Sequence, residues 1–232
     1  MIPAAGVQAA AAPSWRAAAW RRFKTDHLLK TAGTIAFMAL FFPAYFYLLR
    51  RPDTTPFVMP LTWVDRHVPF TPVALPAYVS LWLYVSIPPS LFDRRRRLIA
   101  YGAAAAVMCL IGLAIFWLFP SAVPPTGIDY AREPGFAVLK GVDAAGNACP
   151  SLHVAGAVFS GYWLHRILRE IAAPVALRLA NLAWCTAIVY STLATRQHAA
   201  LDALAGIALG LACAVAARRW IGDPATPDPG RP

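Results

Sequence analysis

His153 and His198 stand 45 residues apart, each at the edge of an apolar run, and Asp202 follows the second by four positions. A carboxylate four residues from an imidazole can hold one ring nitrogen as a donor and leave the other free to attack an electrophile. A second histidine can deliver a proton to a leaving oxygen and then take one from an acceptor. Arg196, two residues before His198, adds a cation. The set suits phosphoryl transfer, with His198 attacking phosphorus, His153 handling the proton and a phosphohistidine between the two half-reactions. Arg196, Ser151 and helix N–H groups would stabilise charge on the equatorial oxygens. No third ligand is spaced to suggest a metal, so neither metal nor cofactor is expected.

The elements that must position these residues follow from composition. Hydrophobic residues make up 59% of the 232, charged residues only 14%, and mean hydropathy is +0.52. A soluble domain carries about a quarter charged residues. The net charge of +10 comes from short basic clusters between apolar runs, the pattern of topology signals and not of a nucleic-acid-binding stripe. Spanning a hydrocarbon core takes about 20 apolar helical residues. Six segments approach that length: Thr31–Leu49, Pro76–Phe92, Leu98–Phe119, Leu152–Ile167, Val175–Ala194 and Ala199–Ala217. The expected fold is all-α, a polytopic six-transmembrane-helix bundle, with an interfacial segment over 1–30, a catalytic membrane domain over 31–217 and a disordered tail over 218–232.

Two crossings fit between His153 and His198, so span counting returns both to one membrane face. With the N-terminus inside, 15 lysines and arginines fall on the inner side against 6 outside, and Arg94–Arg97 is the strongest cluster. That bias places both termini in the cytoplasm and the histidines on the outer face. Every inner basic cluster is read as a topology signal and nothing more. Ser14 to Lys24 alternates Trp15, Trp20 and Phe23 with Arg16, Arg21 and Arg22, as a helix lying on an anionic leaflet would. The apolar run near Thr31 is read as a retained anchor, not a cleaved signal.

Pro150-Ser151 ahead of an apolar run is a helix-start signal with Ser151 as N-cap, which puts His153 in the first turn, where the helix end favours an anion. Asp202 lies inside an apolar run, where an ionisable side chain is costly and usually functional. The plainer readings are a cap for Ser151, a rim charge for Arg196, and interfacial positions for His27, His67 and His165. The four cysteines, Cys109, Cys149, Cys185 and Cys213, form neither a metal-binding spacing nor a disulfide framework.

Pro150-Ser151-Leu152-His153 and Ser191-Thr192-Leu193-Ala194-Thr195-Arg196-Gln197-His198-Ala199-Ala200-Leu201-Asp202 together resemble the type 2 phosphatidic acid phosphatase superfamily, whose motifs are PSGH-like and SRxxxxxHxxxD. The form of both motifs is closest to the branch of inositol phosphorylceramide and sphingomyelin synthases. The resemblance implies that His198 is the nucleophile, Asp202 its partner and His153 the general acid. Leu152 replaces the motif glycine and Thr192 the motif arginine. The lysine and Arg-Pro of the family's first motif are absent, and Phe119–Pro125 carries Pro124-Pro125 instead. Phosphate charge would then fall to Arg196, Arg132 or Lys140.

The expected function is a metal-independent membrane phosphatase or phosphotransferase acting on a lipid phosphate or phospholipid, in the bacterial inner membrane with its site on the periplasmic side. One alternative is a non-catalytic transporter or lipid-binding protein that keeps the fold. Another is a serine hydrolase using Ser151 and His198, which lacks a GxSxG-like setting.

Overall fold

A computed structural model describes residues 14–50, 55–130, 135–136 and 146–222. Ser14 accepts the Ala17 N–H and opens α1 (Trp15–Lys24), which lays Ala18 against the bundle and leaves Trp20 and Phe23 stacked and exposed. The long helix α2 (His27–Arg50) follows and starts four residues earlier than its apolar run suggests. It stands off the bundle along most of its length, and its one buried residue is Lys30.

The second expected span is broken. A 3-10 turn at Pro72–Ala74 leads into α4 (Leu75–Val79) and α5 (Leu81–Ser90), with Ser80 between them; α3 is the short Trp63–His67 helix in the preceding loop. The Ser80 hydroxyl donates to the Ala77 carbonyl and accepts the Trp184 indole N–H at 2.8 Å, so the break is tied to a neighbouring helix. Next come α6 (Arg95–Leu118), α7 (Leu152–Glu170), α8 (Val175–Ala194), α9 (Ala200–Ala216) and the short α10 (Arg218–Ile221). Ile221 is buried, so ordered packing continues beyond the expected boundary at 217, while 223–232 lie outside the described residues.

Four stretches are long and apolar enough to cross a membrane: His27–Arg50, Arg95–Leu118, Val175–Ala194 and Ala200–Ile221. The expected six are therefore met in number by four. The α4–α5 pair is too short and interrupted, and α7 carries His153, Ser160, His165, Arg166 and Arg169 along its length. Burial explains the polarity of α7. It is the central helix, packed by α5, α8 and α9, and it buries Val154, Ala157, Phe159, Trp163 and Ile167. Leu40, Leu110, Leu182 and Leu204 lie exposed on the surrounding helices, an apolar exterior that a lipid solvent accepts and water does not.

The close contact of α7 with α9 rests on Gly206 and Gly210, a GxxxG spacing. A Cβ on Gly210 would sit 2.5 Å from the Ala155 carbonyl oxygen, and one on Gly206 would strike the Ser151 carbonyl. Only hydrogen at these positions lets the two backbones meet. Tyr84, Asn181 and Gly161 join α5, α8 and α7 through buried hydrogen bonds of 2.7 and 3.0 Å.

At the arginine-rich end the basic residues do more than mark topology. Glu170 receives Arg97 in a bidentate pair at 3.0 Å and Arg22 at 2.7 Å, and Asp93 joins both arginines. Lys30 donates to the carbonyls of Arg22 and Ser90. At the other end, β1 (Phe57–Val58) pairs in parallel with β2 (Ser121–Ala122), and Ala122 bridges Gly146. The connecting loops thereby converge on a small apolar cluster of Met59, Ala148 and Ala199.

Candidate active site

Ser151 is the N-cap of α7, with its hydroxyl accepting the Val154 N–H at 3.2 Å and its own N–H donating to the Asp202 carbonyl at 3.0 Å. The cap holds the starts of α7 and α9 together and places His153 in the first turn. Ser151 is fully buried and does not line the cleft described below, which removes support for the serine-hydrolase reading. The His153 ring stacks on Tyr78 at a centroid distance of 4.0 Å and hydrogen-bonds the Tyr78 backbone, while its Nε2 is buried without a hydrogen-bond partner.

His198 lies outside α9, one residue before the cap at Ala199. The turn that carries it is fastened to α8, because the N–H groups of Gln197 and His198 both donate to the Thr192 carbonyl. Asp202 occupies the third position of α9 and reaches back, its Oδ2 accepting the Ala199 N–H at 2.8 Å. That bond carries Oδ2 to 3.8 Å from His198 Nδ1, beyond hydrogen-bond length. The pairing expected from i,i+4 spacing is thus an adjacency created by helix capping. His198 Nδ1 and Asp202 Oδ1 are both buried without a hydrogen-bond partner. Buried polar atoms are usually paired, and these three unpartnered ones lie on neighbouring side chains where α7 and α9 begin.

Both histidines line one end of a cleft of about 440 Å³. Its walls are apolar and aromatic, with Phe37, Phe41 and Phe42 of α2 facing Trp82, Met108 and Phe159. It runs along α2 from Lys30 to Tyr45, roughly 22 Å at the helical rise, most of the thickness of a hydrocarbon core. Asn147, in the left-handed region at φ +53°, donates to the Tyr45 carbonyl and pins α2 beside the histidines.

Of the expected phosphate cations, Arg196 alone lies among the described residues. Arg196 does not line the cleft. Its Nη1 donates to the Asp65 carbonyl at 2.6 Å and its Nη2 to the Val68 carbonyl at 2.7 Å. Arg132 and Lys140 lie outside the described residues. Among the described residues lining the cleft, Lys30 is the one lysine or arginine, and it sits at the end away from the histidines. Thr192, at the family's arginine position, is buried with its hydroxyl on the Val189 carbonyl. Among the described residues no group of three metal-ligating side chains occurs.

Two contributors escaped sequence reading. Tyr78 carries no local motif, since its stacking on His153 is a tertiary contact. Asp65 had a signal, because Thr62 and Asp65 form the Thr-x-x-Asp start of α3, with the Thr62 N–H and hydroxyl both donating to Asp65 Oδ2 at 2.7 Å.

The model of the PAP2 superfamily matches residues 95–224, more than half of the chain and the whole of α6 to α10. The chain belongs to the PAP2 superfamily. Membership points to phosphatase or phosphotransferase action on lipid phosphates, and to a membrane setting that the four long apolar helices bear out. No curated protein and no solved structure matches the chain.

Proposed function

We propose that the protein is a lipid phosphatase or phosphotransferase that works through a phosphohistidine on His198. The observation that carries this reading is the cleft: two histidines with unpartnered buried nitrogens close one end of an apolar channel that a lipid chain would fill. The histidine nitrogen turned away from Asp202 attacks phosphorus and forms an N–P bond as the P–O bond to the leaving group breaks. His153 protonates that oxygen, then takes the proton of water or an alcohol as its oxygen displaces the histidine. Asp202 stabilises the positive charge that develops on His198. The mechanism needs no metal.

The α4–α5 pair and α7 complete a six-helix plan in which both termini are cytoplasmic and the histidines face the periplasmic side of a bacterial inner membrane. The PSLH and TRQHxxxD forms support a place near the phosphosphingolipid synthase branch, where the acceptor is an alcohol. Arg132 and Lys140, on the loop that precedes α7, are the cations available to grip phosphate.

The test is turnover of a lipid phosphate labelled in both phosphate and chain, with and without alcohols, by purified protein. His198→Ala and His153→Ala each abolish phosphoryl release while membrane insertion is retained, and wild-type protein quenched during turnover carries phosphate on His198. Unchanged turnover in both variants overturns the proposal. The lack of a cation beside the histidines among the described cleft residues favours a second reading, a lipid-binding or transport protein on the same fold. Wild-type protein that binds lipid phosphates without turning them over decides for it.

A further inference from the structure

Three independent links join the loop before α4 to the turn that carries His198. The Thr71 N–H donates to the Ala194 carbonyl at 2.8 Å. Arg196, held at φ +58°, clamps the carbonyls of Asp65 and Val68 with two guanidinium nitrogens. Asp65 Oδ1 accepts the Ala200 N–H at 2.8 Å. The last bond fills a donor at the start of α9, and Asp202 fills the one beside it from Ala199. Asp65 is itself buried, at 2% exposure, with its second oxygen held by Thr62. The segment from Thr62 to Thr71 therefore grips the His198 turn before, within and after it.

We infer that Asp65 and Arg196 are positioning residues for His198, and that Arg196 serves this clamp and not phosphate binding. The inference rests on His198 as the nucleophile, and it deepens that reading with a device contributed from outside the matched family region, since residues 62–71 precede position 95. Its physical basis is that a turn with a left-handed residue has no helical ladder to hold it. Beyond the bonds of Gln197 and His198 to the Thr192 carbonyl that end α8, the turn backbone is aimed by these contacts from the 62–71 segment. Carboxylate bonds to backbone N–H groups and guanidinium bonds to carbonyls are the stronger, charge-assisted kind. Two of the N–H groups at the α9 start, those of Ala199 and Ala200, are thereby taken by carboxylates and are not open to substrate phosphate.

The experiment uses full-length protein in detergent with Asp65→Asn, Asp65→Ala, Arg196→Lys and Arg196→Ala. Three quantities are read: kcat and KM for a lipid phosphate, inhibition by inorganic phosphate, and the rate at which diethyl pyrocarbonate acylates His198, located by peptide mass spectrometry. Misaiming the nucleophile lowers kcat by about 10- to 100-fold, leaves KM and phosphate inhibition near wild type, and changes His198 acylation several-fold. Asp65→Asn, which keeps an acceptor for Ala200, recovers part of the loss seen in Asp65→Ala. Arg196 variants that weaken phosphate inhibition with kcat intact overturn the inference, as do Asp65 variants with unchanged kcat and unchanged His198 acylation. If Asp65→Ala does not fold, Asp65→Asn and Arg196→Lys decide the question. If wild-type protein shows no turnover, the proposed function fails by itself. The acylation rate then still tests the clamp, which stands if the variants alter it and falls if they do not.

Discussion

Asp65 illustrates how a residue outside the catalytic set can govern it. Burial alone would push its carboxyl up, but hydrogen bonds from the Thr62 hydroxyl, the Thr62 N–H and the Ala200 N–H outweigh that and hold it below the ordinary value. A carboxyl lowered in the folded state stabilises the fold fully above its unfolded value of about 3.9 and loses that contribution as pH falls through the lowered one. Asp65→Asn should therefore flatten the acid side of a plot of Tm against pH below about 4 and leave its neutral-pH shape unchanged, measured by thermal unfolding in detergent. An acid limb as steep in the variant as in wild type would assign the loss to other carboxylates. His198 and Asp202 show the same logic from the other side. Their adjacency depends on a capping bond to Ala199, so the site's geometry belongs to the start of α9 as much as to the side chains.

At the scale of elements, the contact between α7 and α9 sets the separation of the two histidines, because His153 stands in the first turn of one helix and His198 just precedes the other. The contact has no slack at Gly206 and Gly210. Gly210→Leu should force the helices apart, cost roughly 1–3 kcal/mol of stability as overpacked cores do, and remove turnover even where protein still accumulates. Ala183→Leu is the matched control, since Ala183 lies exposed on α8 and does not line the cleft, and it should leave Tm and turnover near wild type. Comparing the two by unfolding in detergent separates the packing effect from a general intolerance of larger residues. The broken α4–α5 pair serves the site in a related way, since its first half supplies Tyr78, the platform under His153.

Across the whole molecule, the cleft links two differently built ends. The histidine end is tied by backbone hydrogen bonds, and the opposite end by the charges of Arg22, Asp93, Arg97 and Glu170. Because α2 is otherwise weakly buried, its hold on the bundle depends on its ends, with Lys30 at one and Asn147 at the other. Glu170→Gln leaves two largely buried guanidinium groups short of their shared partner, and breaking such a pair costs up to about 3 kcal/mol. The expected result is a lower Tm and faster proteolysis around α1, with KM for a lipid phosphate little changed because the cluster lies far from the histidines. A variant with wild-type Tm and α1 protection would reduce the cluster to a topology signal.

Much of this was legible in residue order. Hydropathy marked the membrane class, Ser151 marked the start of α7, and span counting brought His153 and His198 to one end of the molecule. These are local or additive properties, set by backbone capping and by the length of chain a bilayer requires. Residue order could not show that α7 would be the buried centre, because a polar helix is tolerated in a membrane only when other helices cover it. Nor could it show that Arg196 faces a loop, that Asp65 caps a helix 135 residues away, or that Asp202 stops short of a hydrogen bond to His198. Those arrangements are fixed by partners distant in the chain competing for the same few donors and acceptors, and only the folded packing decides which of them wins.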